Sequence, residues 1–176
     1  MSEREIWDAY GSNGNKLGYD LYRDESSLIP EGVYHIVAEV YTITRDKEVL
    51  VTQRHPDKPW PLKWEITGGS VLKDETPIKG ALRELKEETG ILTQESDLRF
   101  VYSYLMKGIP AIYYCYMIVI NKNNTEIKLQ RGETIDYRYI SYDKFKEFIQ
   151  TEKFVDTIRD RFNIHAGLFD NIVSSI

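Results

Sequence analysis

The sequence predicts an α/β (α+β) domain in which a mixed sheet is flanked by helices. Runs rich in β-branched and aromatic residues recur along the chain. One central segment carries apolar residues at helical spacing between a proline start and a glycine stop. The C-terminal part adds further helical patterns, with no repeats or low-complexity tracts.

The elements follow in order. Aromatics and polar turn residues surround Asn13-Gly14, which predicts a hairpin within residues 1–30. Residues 34–43 read as a strand, with 48–54 as its hairpin partner across residues 44–47. Residues 56–61 hold Pro56, Pro59 and Pro61 and form a rigid connection. Residues 64–67 then make a short strand ending in a turn that Gly68-Gly69 permits. Thr76-Pro77 supplies an N-cap and a first helical position, and Ile78, Leu82 and Leu85 carry that helix to Gly90. Residues 100–105, 111–120 and 137–140 are further strands, the middle one apolar enough to be central. Residues 141–150 begin a second helix with Tyr142, Phe145, Phe148 and Ile149 on one face. Residues 154–162 form a third helical segment, and 163–176 are helix or tail.

Bulk properties bound the function. The 176 residues, 41% hydrophobic and 29% charged, suit one soluble domain with its own core. A net charge of -5 argues against DNA or RNA as the main partner, because neutralising many phosphates needs a basic face. A small phosphorylated ligand is compatible with it, held by a few cations or by metal ions on carboxylates. Cys115, the only cysteine, leaves no intrachain disulfide and is expected to pack a core in a reducing compartment. Residues 1–8 hold no apolar signal core, and no stretch reaches the ~18 apolar residues that span a bilayer. A cytoplasmic protein without membrane attachment is therefore expected. Trp7, Tyr10, Tyr19, Leu21 and Tyr22 load the N-terminal extension with apolar surface, which is expected to bury against the domain or a second subunit in a homodimer.

The chemistry is concentrated in residues 69–91. Gly69 is followed after five residues by Glu75, and Glu75 after seven by Arg83-Glu84-Leu85-Lys86-Glu87-Glu88-Thr89-Gly90-Ile91. At about 100° per residue, Glu84, Glu87 and Glu88 fall within roughly one third of the helix circumference, while Ala81, Leu82 and Leu85 turn away. Like charges at such spacing destabilise a helix unless something positive faces them, and hard divalent cations are the natural partners of clustered carboxylates. Arg83, one turn before Glu87, is placed to pair with it and leave Glu84 and Glu88 to coordinate. Gly68 and Gly69 let a backbone carbonyl face the metal, and Glu75 is placed to brace the loop before the helix.

This segment matches the Nudix box, Gly-x5-Glu-x7-Arg-Glu-U-x-Glu-Glu-x-Gly-U with U aliphatic, at all nine specified positions. The chain from about residue 33 to 150 thus resembles the Nudix hydrolases. The resemblance implies a three-layer α/β/α sandwich, with residues 31–176 as the Nudix domain including the C-terminal helices. It implies hydrolysis of a pyrophosphate linkage in a nucleoside-diphosphate-type substrate by water activated on Mg²⁺ or Mn²⁺. Gly69, Glu84, Glu87 and Glu88 are then the metal ligands, with Arg83 beside them. A distal acid commonly completes such sites; Glu133 is the candidate, with Glu126 and Asp136 as competitors.

Residues 50–64 also resemble the type I isopentenyl-diphosphate isomerases, which share this fold. From that likeness Arg54, Lys58 and Lys63 are candidate contacts to a diphosphate; His55 is a separate candidate to line the pocket. In those isomerases a cysteine acid/base precedes a Gly-His that opens the metal site. Here Thr67 and Gly68-Gly69 stand in that stretch, without a thiol or an imidazole. A non-catalytic nucleotide sensor on the same fold would be marked by loss of a box carboxylate, and none is lost. His35, His55 and His165 are scattered without metal spacing.

Overall fold

The computed structural model describes residues 4–176. Strand β3 (Val33–Thr44) is the axis of a nine-stranded sheet. Its alternation sends Ile36, Ala38 and Val40 to one face and Tyr41 and Ile43 to the other, so both faces are buried. Along one edge it pairs in parallel with β8 (Ala111–Ile120), from His35↔Ala111 to Thr44↔Ile120. Its other edge is shared. β1 (Ile6–Gly11) joins at Tyr10↔Tyr34, and β6 (Thr67–Ser70) occupies Val37↔Ser70 through Val40↔Thr67.

That sharing corrects the expected hairpin. β4 (Glu48–Arg54) meets β3 only at Ile43↔Val49, because β6 holds the edge a full hairpin would use. β4 instead pairs with β9 (Thr134–Ser141) and with β5 (Trp64–Glu65). The single strand expected at residues 64–67 is two, β5 and β6, on either side of Ile66. Gly68 and Gly69 make no turn; they lie within β6. Gly68 is required by close approach instead, since a Cβ there would sit 2.8 Å from the Ala38 carbonyl oxygen. β7 (Arg99–Leu105) closes the far edge on β8.

Helix α1 (Pro77–Thr89) begins where Thr76 accepts the Lys79 N–H and ends at Gly90, whose φ of 75° gives the left-handed cap. Ala81 and Leu85 seal it onto the face of Ile36, Ala38 and Val40. Helices α2 (Tyr142–Phe148) and α3 (Asp156–Ser174) cover the opposite face through Phe145, Phe162, Phe169 and Val173, completing three layers. The helix expected at residues 154–162 starts later and runs further. Phe154 is held as a bridge to Trp64, and the Val155 N–H donates to the Trp64 carbonyl. From Phe162 the apolar spacing continues to Phe169 and Val173, which carries α3 through what read as helix or tail. Under the sheet, Arg161 of α3 forms a buried ion pair with Glu39 and lies 3.6 Å from the centre of the Tyr113 ring. Cys115 is buried and free. Among the described residues no helix is long and apolar enough to cross a membrane.

β1 and β2 (Lys16–Tyr22) form the N-terminal hairpin around Gly14. Trp7, Ala9 and Leu21 pack with Ile29, Val33 and Leu72, and Tyr10 joins the α1-side core, whereas Tyr19 stays 47% exposed. Most of the apolar load that suggested a homodimer is therefore buried within one chain. Trp7 stacks on His35 with ring centres 4.1 Å apart, and the buried His35 Nδ1 has no hydrogen-bond partner among the described residues. Burial pushes the His35 pKa down to about 4. The folded state then refuses a proton that the unfolded chain accepts. Stability is full above pH 6.5 and is lost as pH falls from there toward about 4. The expected loss at pH 5 is about 2 kcal/mol. Urea unfolding at pH 7 and pH 5 measures it; His35→Phe, which keeps the stack, should shrink the difference, and an unchanged difference removes His35 as its origin.

Candidate active site

The box loop, residues 70–75, is folded around Arg83. The Arg83 Nε and Nη2 donate to the two oxygens of Glu75 at 3.0 and 3.1 Å, and Nη2 also donates to the Ser70 carbonyl at 2.8 Å. Glu75 Oε2 in turn accepts the Leu72 N–H at 3.0 Å. Glu75 therefore braces the loop through the arginine. Nη1 reaches Glu84 at 2.7 Å and Glu87 at 3.2 Å, which corrects the expected simple pairing with Glu87: the arginine bridges Glu84 as well.

The three box carboxylates differ in exposure. Glu87 is exposed, Glu84 half-buried and Glu88 buried, because α1 is rolled so that the Leu85 side and Glu88 face β6. Glu88 accepts the Gly68 N–H at 3.3 Å. Burial pushes its carboxyl well above the usual range, and the neighbouring Glu65 and Glu84 add to the effect. Burial also raises Glu84, with Arg83 opposing it. Gly69 lies against Glu84: a Cβ there would come within 2.2 Å of a carboxylate oxygen.

Glu65 was not singled out from the sequence. It is buried, and burial, opposed by Arg54, raises its pKa to about 7. Its signal was the alternation in which Trp64 and Ile66 point to the α2–α3 face, which turns Glu65 toward α1. Arg54 pairs with Glu65 and donates to the Pro59 carbonyl at 2.6 Å, so this guanidinium is already engaged by the protein. Lys58 forms an ion pair with Glu133, whose carbonyl accepts the His55 N–H at 2.9 Å; the structure thus brings Glu133 to the loop that follows β4. Lys63 sits in the same loop, its carbonyl accepting the Arg54 N–H at 3.0 Å, without contact to the carboxylates. His55 Nδ1 accepts the Asp57 N–H at 3.2 Å and serves its own turn. Of the competing acids, Asp136 faces Arg138 at 3.7 Å, and Glu126 lines a separate cleft of about 710 Å³ beyond the C-terminal end of α1.

A model of the NUDIX domain matches residues 33–160. The chain belongs to the Nudix family. An uncharacterized Nudix hydrolase of Listeria monocytogenes is 29% identical over 154 residues, covering 86% of this chain and 88% of its own. In a crystal structure, a protein of Deinococcus radiodurans shares the fold with a TM-score of 0.67 at 16% identity, over 82% of this chain and 88% of its own. A bifunctional NMN adenylyltransferase/ADP ribose pyrophosphatase of Francisella tularensis, solved with AMP and a manganese ion, gives a TM-score of 0.61 at 20% identity. That likeness covers 78% of this chain and 42% of the Francisella protein. The family makes this chain a Nudix hydrolase, an enzyme of the pyrophosphohydrolase class, and Nudix enzymes generally use divalent metals.

The residues present fit such a metal by their chemistry. Hard oxygen donors are concentrated at β6 and α1, and crowded buried carboxylates with raised pKa values are stabilised by a cation among them. Among the described residues no three acidic, histidine or cysteine side chains are already gathered to hold a metal ion. Arg83 instead draws Glu84 and Glu87 toward itself.

Proposed function

We propose that this Nudix hydrolase cleaves a pyrophosphate linkage in a nucleoside-diphosphate-type substrate and depends on Mg²⁺ or Mn²⁺. The observation that carries this reading is Glu88, a carboxyl buried beside Glu84 and Glu65 at the Gly68-Gly69 strand with, among the described residues, one weak hydrogen bond. The AMP and manganese in the Francisella structure support a nucleotide substrate and a divalent ion on this fold. Glu84, Glu87, Glu88 and the Gly69 carbonyl would hold the metal, with Glu133 as the distal acid. A divalent ion held there would supply charge to neutralise the diphosphate and to lower the pKa of the attacking water. Arg83 fixes Glu84 and Glu87 and keeps the loop closed. Lys58, paired with Glu133 as Arg54 is with Glu65, would meet substrate phosphate only on leaving that partner.

The test is product release, read as phosphate after phosphatase or pyrophosphatase treatment of the products, across nucleoside triphosphates, nucleoside diphosphates, ADP-ribose, dinucleoside polyphosphates and non-nucleotide diphosphates, with Mg²⁺, Mn²⁺ or chelator. Metal-dependent release from a nucleotide class is expected, and release unaffected by chelator sinks the metal reading. The isomerase alternative is tested alongside. Thr67 is buried within β6, and its hydroxyl is a poor proton donor to carbon. Thr67→Ala should keep most hydrolysis, and isopentenyl diphosphate with Mg²⁺ should yield no dimethylallyl isomer by NMR. Isomer formed at a catalytic rate would promote the isomerase instead.

A further inference from the structure

The N-terminal hairpin lies outside the segment that the family model matches, which begins at residue 33. It nevertheless holds the loop on which the box carboxylates depend. Each backbone N–H of residues 71–75 has a partner. Val71 donates to the Ile36 carbonyl at 2.9 Å, Leu72 to the Glu75 carboxylate at 3.0 Å, and Glu75 to the Leu72 carbonyl at 3.0 Å. The remaining two go to β1. Lys73 donates to the Ile6 carbonyl at 2.9 Å, and Asp74 donates to the Asp8 carboxylate at 2.9 Å. Asp74 has a φ of 63°, a left-handed conformation that a non-glycine residue keeps only where its surroundings enforce it. The Lys73 ammonium reaches Asp20 of β2 at 2.8 Å, and Leu72 packs under Trp7 and Leu21.

We propose that Asp8 is a positioning residue for the Nudix site: by accepting the Asp74 N–H it clamps the box loop, and through Glu75 and Arg83 it sets where Glu84 and Glu87 stand. Its carboxylate is well suited to the task. Although its partial burial works against the charge, Lys16 at 2.7 Å and the Asp74 N–H hold the Asp8 carboxyl below its usual range. The path from Asp8 to the metal ligands is continuous: Asp74 adjoins Glu75, Glu75 binds Arg83 with both oxygens, and Arg83 binds Glu84 and Glu87. A segment outside the stretch that the family model matches thereby helps to position the box carboxylates. The inference rests on the metal reading above, and the two are separable by experiment.

Mn²⁺ affinity of the full chain, read from the free-ion EPR signal, is compared with thermal midpoint and turnover in three variants. Asp8→Ala, which removes the acceptor, is expected to weaken Mn²⁺ binding and turnover by tenfold or more. Asp8→Asn keeps an oxygen for the Asp74 N–H and should restore both to within about threefold of wild type. Lys122→Gln, which removes a surface ion pair with Glu48 away from this loop, should leave both unchanged. A second measurement needs no variant. If the clamp favours the metal, the metal must favour the clamp by the same factor, so Mn²⁺ should slow hydrogen exchange of the Lys73 and Asp74 amides in the wild-type protein. Asp8→Ala with wild-type Mn²⁺ affinity overturns the proposal, as do Lys73 and Asp74 amides whose exchange ignores Mn²⁺. A wild-type chain that binds no Mn²⁺ overturns the metal reading itself.

Discussion

Glu88→Gln is expected to lower turnover about a thousandfold while leaving the protein at least as stable as before. Removing one metal-directed carboxylate removes several kcal/mol of charge stabilisation, and about 4 kcal/mol corresponds to three powers of ten in rate. The stability side follows from burial. The folded-state pKa of Glu88 lies well above that of an unfolded glutamate, so the wild type binds its proton more tightly when folded and loses stability as pH rises past the unfolded value. At neutral pH that loss is in force. Glutamine has no charge to desolvate and still offers an oxygen to the Gly68 N–H, so it escapes the loss. Phosphate release and a thermal melt at pH 7 check both halves. Unchanged turnover would refute the site, and a large drop in thermal midpoint would mean that Glu88 is structural.

Much of this was legible in the sequence where short-range signals decide. α1 was bounded by Thr76-Pro77 and Gly90, whose roles are set by backbone chemistry within one turn, and β8 was readable because a run from Ala111 to Ile120 buries nearly every residue. What escaped was pairing. That β3 gives its edge to β6 rather than to β4 depends on Gly68 fitting against Ala38, thirty residues away in the chain, and no local pattern encodes that approach. The extent of α3 was underread because Phe169 and Val173 pay off only against Tyr41 and Phe145, from distant elements. At the site, the box showed which acids belong together and that Arg83 serves them. It did not show that Glu88 is buried while Glu87 is exposed, because helix roll is set by packing against β6. That Arg54 is paired with Glu65 was not legible, because a sequence displays charges without their partners, and Glu65 went unnoticed for the same reason.

Gly69→Ala is the change with the second largest expected effect, and it separates chemistry from folding. Gly69 does not adopt a positive φ, so its backbone accepts an alanine without strain. What the new Cβ meets is the Glu84 carboxylate, at 2.2 to 2.6 Å, the far end of a flexible side chain that can swing away at little energetic cost. The fold should therefore persist, with a thermal midpoint within a few degrees of wild type. Glu84 is driven off its position between Gly69 and Arg83, and turnover should fall about a hundredfold, as expected for a misplaced charged group at a reacting centre. Gly68→Ala provides the contrast. There the Cβ meets the Ala38 carbonyl oxygen at 2.8 Å, a backbone atom in the middle of the sheet that cannot move alone, so stability should drop along with activity. Thermal melts and phosphate-release rates of the two variants read the difference side by side. If Gly69→Ala turns over like wild type, Glu84 does not act from beside Gly69, and the ligand set around β6 has to be redrawn without it.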